Sequence, residues 1–143
     1  MLQTPVILHI DDDEDDLLVF KEALTSADPS IRLRQEQGIQ NPQQFTQLVK
    51  ETAPCLIIVD LNMPGTGGKE LLPILKNDPA INNIPVVAFT TSALPSDREY
   101  CSCFGVECVT KPLHFDQLIE SIKTMLGFCM CDNRENMKRR REQ

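Results

Sequence analysis

No run of apolar residues in this 143-residue chain approaches the roughly 18 needed to cross a membrane as a helix. No basic segment precedes a long apolar one at the start either, so the expectation is a cytoplasmic chain with no membrane contact. Positive charge is also in deficit, with 14 Lys and Arg against 21 Asp and Glu and a net charge of −7. Direct nucleic-acid binding is therefore not expected, because displacing counterions from phosphates needs a basic surface. Internal repeats and linkers are missing, and the length fits one domain able to bury roughly two-thirds of its unfolded surface. The usual Cys-x2-Cys spacing is absent too. The six cysteines include two Cys-x-Cys pairs, Cys101 with Cys103 and Cys129 with Cys131, but no His stands at ligand spacing, which argues against zinc. Cys55 and Cys108 fall in strand-like runs, where free Cys packs as a small hydrophobe, and reduced thiols are the expectation.

What the chain does have is strict alternation of two periods. Val6–Ile10, Cys55–Val59, Val86–Phe89 and Val106–Val109 read as strands, and Cys55-Leu56-Ile57-Ile58-Val59 lacks any polar alternation. Such a run suits a strand buried on both faces of a parallel sheet. Ile31-Arg32-Leu33-Arg34 alternates, as an edge strand does. Between the strands, Leu17, Phe20, Leu24 and Ala27 recur at helical spacing, and Asn41-Pro42 opens a second helix carrying Phe45, Leu48 and Val49. A third carries Leu71, Leu72 and Leu75, with regular helix expected from near Glu70 so that Pro73 falls in the first turn. A fourth should run from about Pro95 to Phe104, closed by Gly105. The fifth places Phe115, Leu118, Ile119, Ile122 and Leu126 on one face. The pattern predicts an α/β fold, a doubly wound five-stranded parallel sheet flanked by five helices with right-handed crossovers. Residues 1–128 form the domain, and residues 129–143, with Lys138-Arg139-Arg140-Arg141, form a charged tail.

Chemistry gathers where the strands end. Strand one runs into Asp11-Asp12, strand three into Asp60, strand four into Thr90 and strand five into Lys111-Pro112. In an open α/β sheet those ends line the ligand crevice. Two like charges at 4 Å repel by about 4 kcal/mol at an effective dielectric of 20, so three bare carboxylates would carry raised pKa values or destabilise the fold. Mg²⁺ removes the conflict, and Mg²⁺ on a few carboxylates commonly serves phosphoryl groups. Lys111 can pair with a phosphoryl oxygen, Thr90 can donate to another, and Asp60 is the natural nucleophile for an acyl phosphate. Simpler readings are weaker. A solvated acidic helix start accounts for Glu14, Asp15 and Asp16 but not for Asp11 and Asp12, which follow the strand directly. A calcium loop on Asp11, Asp13, Asp15 and Glu22 fails because Asp16 stands where its glycine belongs. His9 reads as a packed histidine and His114 as flanking the last helix.

These residues resemble the receiver domain of the two-component response regulators, over roughly residues 5 to 128. The resemblance rests on Asp11-Asp12, on Asp60 within Val-Asp-Leu-Asn-Met-Pro-Gly-x-Gly-Gly, on Thr90 and on Lys111-Pro112. It implies a flavodoxin-like sheet in the order 2-1-3-4-5. It also implies a phosphoryl group accepted on Asp60 from a histidine kinase or His-containing phosphotransfer protein. Mg²⁺ would be held by Asp12, Asp60 and the main-chain carbonyl of Asn62, with Asp11 on a metal water, while Thr90 and Lys111 contact the phosphoryl group. A cis bond is implied at Lys111-Pro112. Output would pass by protein–protein contact through the fourth helix, fifth strand and fifth helix, including Tyr100, Phe104 and Cys108, to an unnamed downstream protein. The basic tail would solvate the end of the chain, or meet an acidic partner or a second copy as a homodimer. One position departs: receivers usually carry Tyr or Phe three residues before the lysine, and here Cys108 stands there. The chain is then a phosphoacceptor rather than a turnover enzyme. The alternative is a Mg²⁺-dependent aspartyl-phosphate phosphohydrolase, which generally needs a second acid two residues after its nucleophile; that position is Asn62.

Overall fold

The computed structural model describes residues 5–64, 66–91 and 94–130. Strands and helices alternate throughout: β1 (Val6–Ile10), α1 (Glu14–Ala27), β2 (Arg32–Glu36), α2 (Pro42–Thr52), β3 (Leu56–Val59), α3 (Gly68–Asn77), β4 (Val86–Thr90), α4 (Pro95–Cys103), β5 (Glu107–Thr110) and α5 (Phe115–Met130). The sheet is parallel in the order β2-β1-β3-β4-β5. Alternation along each inner strand divides the apolar side chains between two cores. Ile57 and Val59 of β3 face Phe45, Val49, Leu71, Leu72 and Leu75 from α2 and α3. Leu56 and Ile58 face Phe20 and Leu24 of α1 and Leu118, Ile122 and Met125 of α5. Each fully buried Leu, Ile or Phe contributes roughly 1.5–3 kcal/mol, so both layers are held by the apolar runs read from the sequence. No described helix is long and apolar enough to cross a membrane.

Local signals set the helix starts. Asp13 caps α1 by accepting from the N–H groups of Asp15 at 2.8 Å and Asp16 at 3.4 Å. Asn41 caps α2 by accepting from Gln44 at 2.8 Å. The αL residue Gly105, with φ of 66°, follows α4 and lets the chain turn into β5.

Several expectations need correction. Helix α3 begins at Gly68 rather than near Glu70, so Pro73 stands inside it. Its first turn is drawn onto the end of β3, where the Gly68 N–H donates to the Asp60 carbonyl at 3.0 Å. A Cβ at Gly68 would lie 2.5 Å from that oxygen, so only glycine allows this approach. Phe115 is exposed, and the buried face of α5 continues instead through Met125 and Cys129. Helix α5 runs past residue 128, through Cys129 to Met130. Cys129 is bonded to Cys55, with Cα atoms 4.9 Å apart, so those two thiols are not reduced as expected. Helical spacing explains the pairing: Cys129 lies seven residues after Ile122, on the stripe that packs against the start of β3. The remaining expected tail, with Cys131 and Lys138 to Arg141, lies outside the described residues. The Lys111–Pro112 peptide is trans, as no cis bond occurs among the described residues.

Candidate functional site

The carboxyl ends of β1, β3, β4 and β5 meet at one edge, as their parallel registers require. Asp11, buried, follows β1, and its Oδ1 accepts the Asp13 N–H at 3.0 Å. Asp12 is exposed beside it. Asp60 follows β3 and is 8% exposed. A carboxylate oxygen from each of Asp11, Asp12 and Asp60 lies within 4.8 Å of the others. Three oxygen ligands of this kind fit a hard divalent cation such as Mg²⁺, with water completing its shell.

Lys111 enters from the end of β5, although the peptide after it is trans. Its N–H donates to the Thr90 carbonyl at 2.8 Å, which fixes the backbone and turns the side chain inward. Its Nζ donates to Asp11 at 2.7 Å, Asp16 at 2.8 Å and Asp60 at 2.9 Å. The ammonium is thus the cation that balances the buried acids. Burial alone would lower its pKa, but the bonds to Asp11, Asp16 and Asp60 together raise it. Burial pushes the Asp11 carboxyl up, against the opposing pull of Lys111 and the Asp13 N–H. A cavity of about 60 Å³ behind the lysine is lined by His9, Asp11, Asp16, Phe20, Phe89 and Lys111 among others.

Thr90 is fully buried at the tip of β4. Its Oγ1 lies 3.5 Å from the side-chain nitrogen of Asn62, whose N–H in turn donates to Asp60 Oδ1 at 3.0 Å. The geometry therefore brings Asp11, Asp12, Asp60, Asn62, Thr90 and Lys111 to one pocket, from the ends of four strands and the turns after them.

Asp16 is the member that sequence reasoning assigned only to a solvated helix start. The usable signal was its position: it is the third residue of α1, capped by Asp13, and such a side chain reaches back over the helix start. His9 plays no part in the acid cluster. Its ring lies 4.1 Å from that of Phe20, and Gln35 holds Nδ1 at 3.1 Å. Burial, with the charge of Lys111 adding to it, lowers its pKa to about 3, so the imidazole is neutral. Gln35 also donates to the Leu17 carbonyl at 2.7 Å, which orients its amide with nitrogen toward the ring.

Known proteins resemble the chain in sequence and in fold. The family described as the response regulator receiver domain matches residues 7–123. The polar-differentiation response regulator DivK of Brucella anthropi is 31% identical over 123 residues, covering 85% of this chain and 95% of the relative. Its counterpart in Brucella ovis is 30% identical over 87% of this chain and 98% of its own length. Among solved structures, the phosphorylated cyanobacterial phytochrome response regulator RcpA aligns with a TM-score of 0.75 and 26% identity, over 90% of this chain and 95% of its own. The Mn²⁺-bound form of response regulator Rcp1 aligns with a TM-score of 0.69 and 26% identity, over 85% and 91%. With the family match spanning the whole sheet, and with acids, threonine and lysine converging at its carboxyl edge, the chain belongs to the response regulator receiver domains of two-component signalling.

Proposed function

We propose that this receiver accepts one phosphoryl group on Asp60, from a histidine kinase or a His-containing phosphotransfer protein. The observation that carries the reading is the placement of Lys111 Nζ, 2.9 Å from Asp60 and 2.7 Å from Asp11. A lysine this enclosed, held on the phosphoacceptor's own oxygen, is ready to follow a phosphoryl group once that oxygen carries it. Asp60 Oδ attacks phosphorus as the bond from phosphorus to the donor's nitrogen breaks. Lys111 then pairs with a phosphoryl oxygen, and the Thr90 hydroxyl donates to another. Asp11, Asp12, Asp60 and the Asn62 carbonyl would hold Mg²⁺, which would supply positive charge against the negative charge of the transferred group. Support for a divalent ion comes from the donor set itself and from the Mn²⁺-bound relative.

The reading makes the chain a cytoplasmic switch rather than a turnover enzyme. Asn62 stands where the hydrolases place an acid, and its amide side chain, which lies toward Thr90, does not ionise and so cannot act as a general acid or base. Output by protein contact through α4, β5 and α5 follows from the same reading. Incubation with acetyl phosphate and Mg²⁺ tests it. One phosphoryl group should appear by intact mass, and Asp60→Asn should abolish it. Stoichiometric labelling of that variant, or steady turnover of small phosphate esters by the wild type, would overturn the assignment.

A further inference from the structure

Beyond the carboxylate pocket, free thiols gather where α4 meets β5: Cys101 is buried, Cys108 half-buried and Cys103 exposed. Residues two apart on a helix face different ways, which turns Cys101 into the core and Cys103 to solvent. Helix and strand lie side by side. The Arg98 guanidinium reaches the Cys108 carbonyl at 3.4 Å and Thr110 Oγ1 at 2.9 Å. The Val106 N–H donates to the Cys101 carbonyl at 2.9 Å. Those contacts bracket Cys101, one turn beyond Arg98, against the strand residue two after Val106. That residue is Cys108. Both side chains pack into one apolar cluster, where Cys108 lies close enough to Cys101 to raise its pKa.

We propose that Cys101 and Cys108 form a redox-modification site, closed to a disulfide by a hydroperoxide, that clamps α4 to β5. The site deepens the receiver reading, on which it rests in taking α4 and β5 as the output face. Cys108 is the thiol that an oxidant reaches. Its sulfur attacks the peroxide oxygen, the O–O bond breaks, and an alcohol (water, for hydrogen peroxide) leaves behind a sulfenic acid. The Cys101 sulfur then attacks Cys108, the S–S bond forms, and the hydroxyl departs as water with the Cys101 proton. Two electrons pass from the sulfurs to the peroxide oxygens. Burial pushes the Cys101 thiol up to about 12, with Cys108 adding to it, so the first encounter with the oxidant falls to Cys108.

The consequence lies in register. Cys108 pairs with Ala88 and Thr110 with Thr90, so a bond from α4 to Cys108 holds the helix to the strand that borders Thr90. A shift begun at Thr90 could then no longer move α4 apart from β5. The Cys55–Cys129 bond stands on the other face of the sheet and is a separate pair.

The test uses the full-length protein. After hydrogen peroxide treatment and alkylation without reduction, peptide fragmentation should show Cys101 and Cys108 protected together while Cys103 is alkylated. Alkylation of both, or a bond through Cys103, would overturn the proposal. Cys108→Ser should abolish the link and leave Cys55–Cys129 intact. Hydrogen exchange in α4, with and without the phosphoryl mimic beryllofluoride, reads the clamp. Its phosphorylation-linked change should fall severalfold in oxidised protein and be indifferent to peroxide in Cys108→Ser. An equal change in oxidised and untreated wild type would overturn the clamp. The thiol mapping needs no phosphorylation, so failure of Asp60 to take a phosphoryl group would fell only the receiver mechanism.

Discussion

Tyr100 supplies the donor that Pro73 lacks. In a regular helix the N–H of residue 73 would donate to the Lys69 carbonyl, but proline has none. The Tyr100 hydroxyl donates to that carbonyl instead, at 2.5 Å, from α4. Asp97 of α4 adds an ion pair to Lys69 Nζ at 2.8 Å. Helix α4 thus hangs on the first turn of α3, one residue from the glycine that touches the Asp60 backbone.

The pairing should show as non-additivity. Tyr100→Phe should cost about 1 kcal/mol of unfolding free energy in urea. In a Pro73→Ala background, where Ala restores an N–H for the Lys69 carbonyl, the same change should cost clearly less. Equal costs in both backgrounds would show that the hydroxyl does not serve the proline's gap.

Removing the lysine should expose the conflict it hides. Lys111→Met leaves the carboxylates of Asp11, Asp16 and Asp60 without their ammonium and should cost about 3 kcal/mol in chelator. Mg²⁺ should then raise the melting temperature of the variant more than that of the wild type, since it answers the same repulsion. Identical Mg²⁺ responses would separate the metal question from the lysine.

The acidic run should divide sharply in metal affinity. Asp12→Ala should weaken Mg²⁺ or Mn²⁺ binding by about tenfold or more, while Asp15→Ala changes it little. Only the first belongs to the cluster of three carboxylates. Equal losses, measured by titration calorimetry, would mean that the run acts as diffuse charge.

Acid should loosen the fold through His9. Its pKa falls from 6.5 in the unfolded chain to about 3 in the folded one. Between those values the unfolded state takes a proton that the folded state refuses. Stability is therefore full above about pH 6.5 and declines on acidification toward pH 3, by up to about 1.4 kcal/mol per pH unit. Asp11 works the other way, because burial raises its pKa and protonation relieves its cost as pH falls. Unfolding of wild type and His9→Leu at pH 7 and pH 5 isolates the imidazole. The variant should lose the larger part of the slope.

The sheet and pocket were legible because their signals are local. Leu56 to Val59 has no polar residue to face water, Asn41-Pro42 caps and opens a helix in two residues, and Asp11, Asp60 and Thr90 directly follow apolar runs. What could not be read depends on contacts far apart in sequence. The tail was expected from Cys129, yet α5 continues through it to Met130, and Cys129 lies against Cys55. A truncation after Gly127 would therefore remove a core residue together with the tail. Asp16 reads as an ordinary helix-start acid until Lys111 arrives beside it, 95 residues later. Pro73 reads as a first-turn proline because nothing nearby shows that Tyr100 will serve the open carbonyl. The cis bond came from family likeness, and here the N–H of Lys111 on Thr90 aims the lysine without it.

The bond between Cys55 and Cys129, 74 positions apart, divides the chain into a closed circuit and an open lead. Asp60, Thr90 and Lys111 lie on the circuit, whereas Asp11, Asp12 and Asp16 lie on the lead with β1, α1, β2 and α2. A protease nick between α3 and β4 would leave both cut ends tethered through sulfur. A nick between α2 and β3 would leave the lead held by hydrogen bonds and apolar packing alone. Asp60 and Lys111 thus share one covalent loop, whereas Asp11, Asp12 and Asp16 arrive on a segment that a single cut before Cys55 would leave to noncovalent contacts.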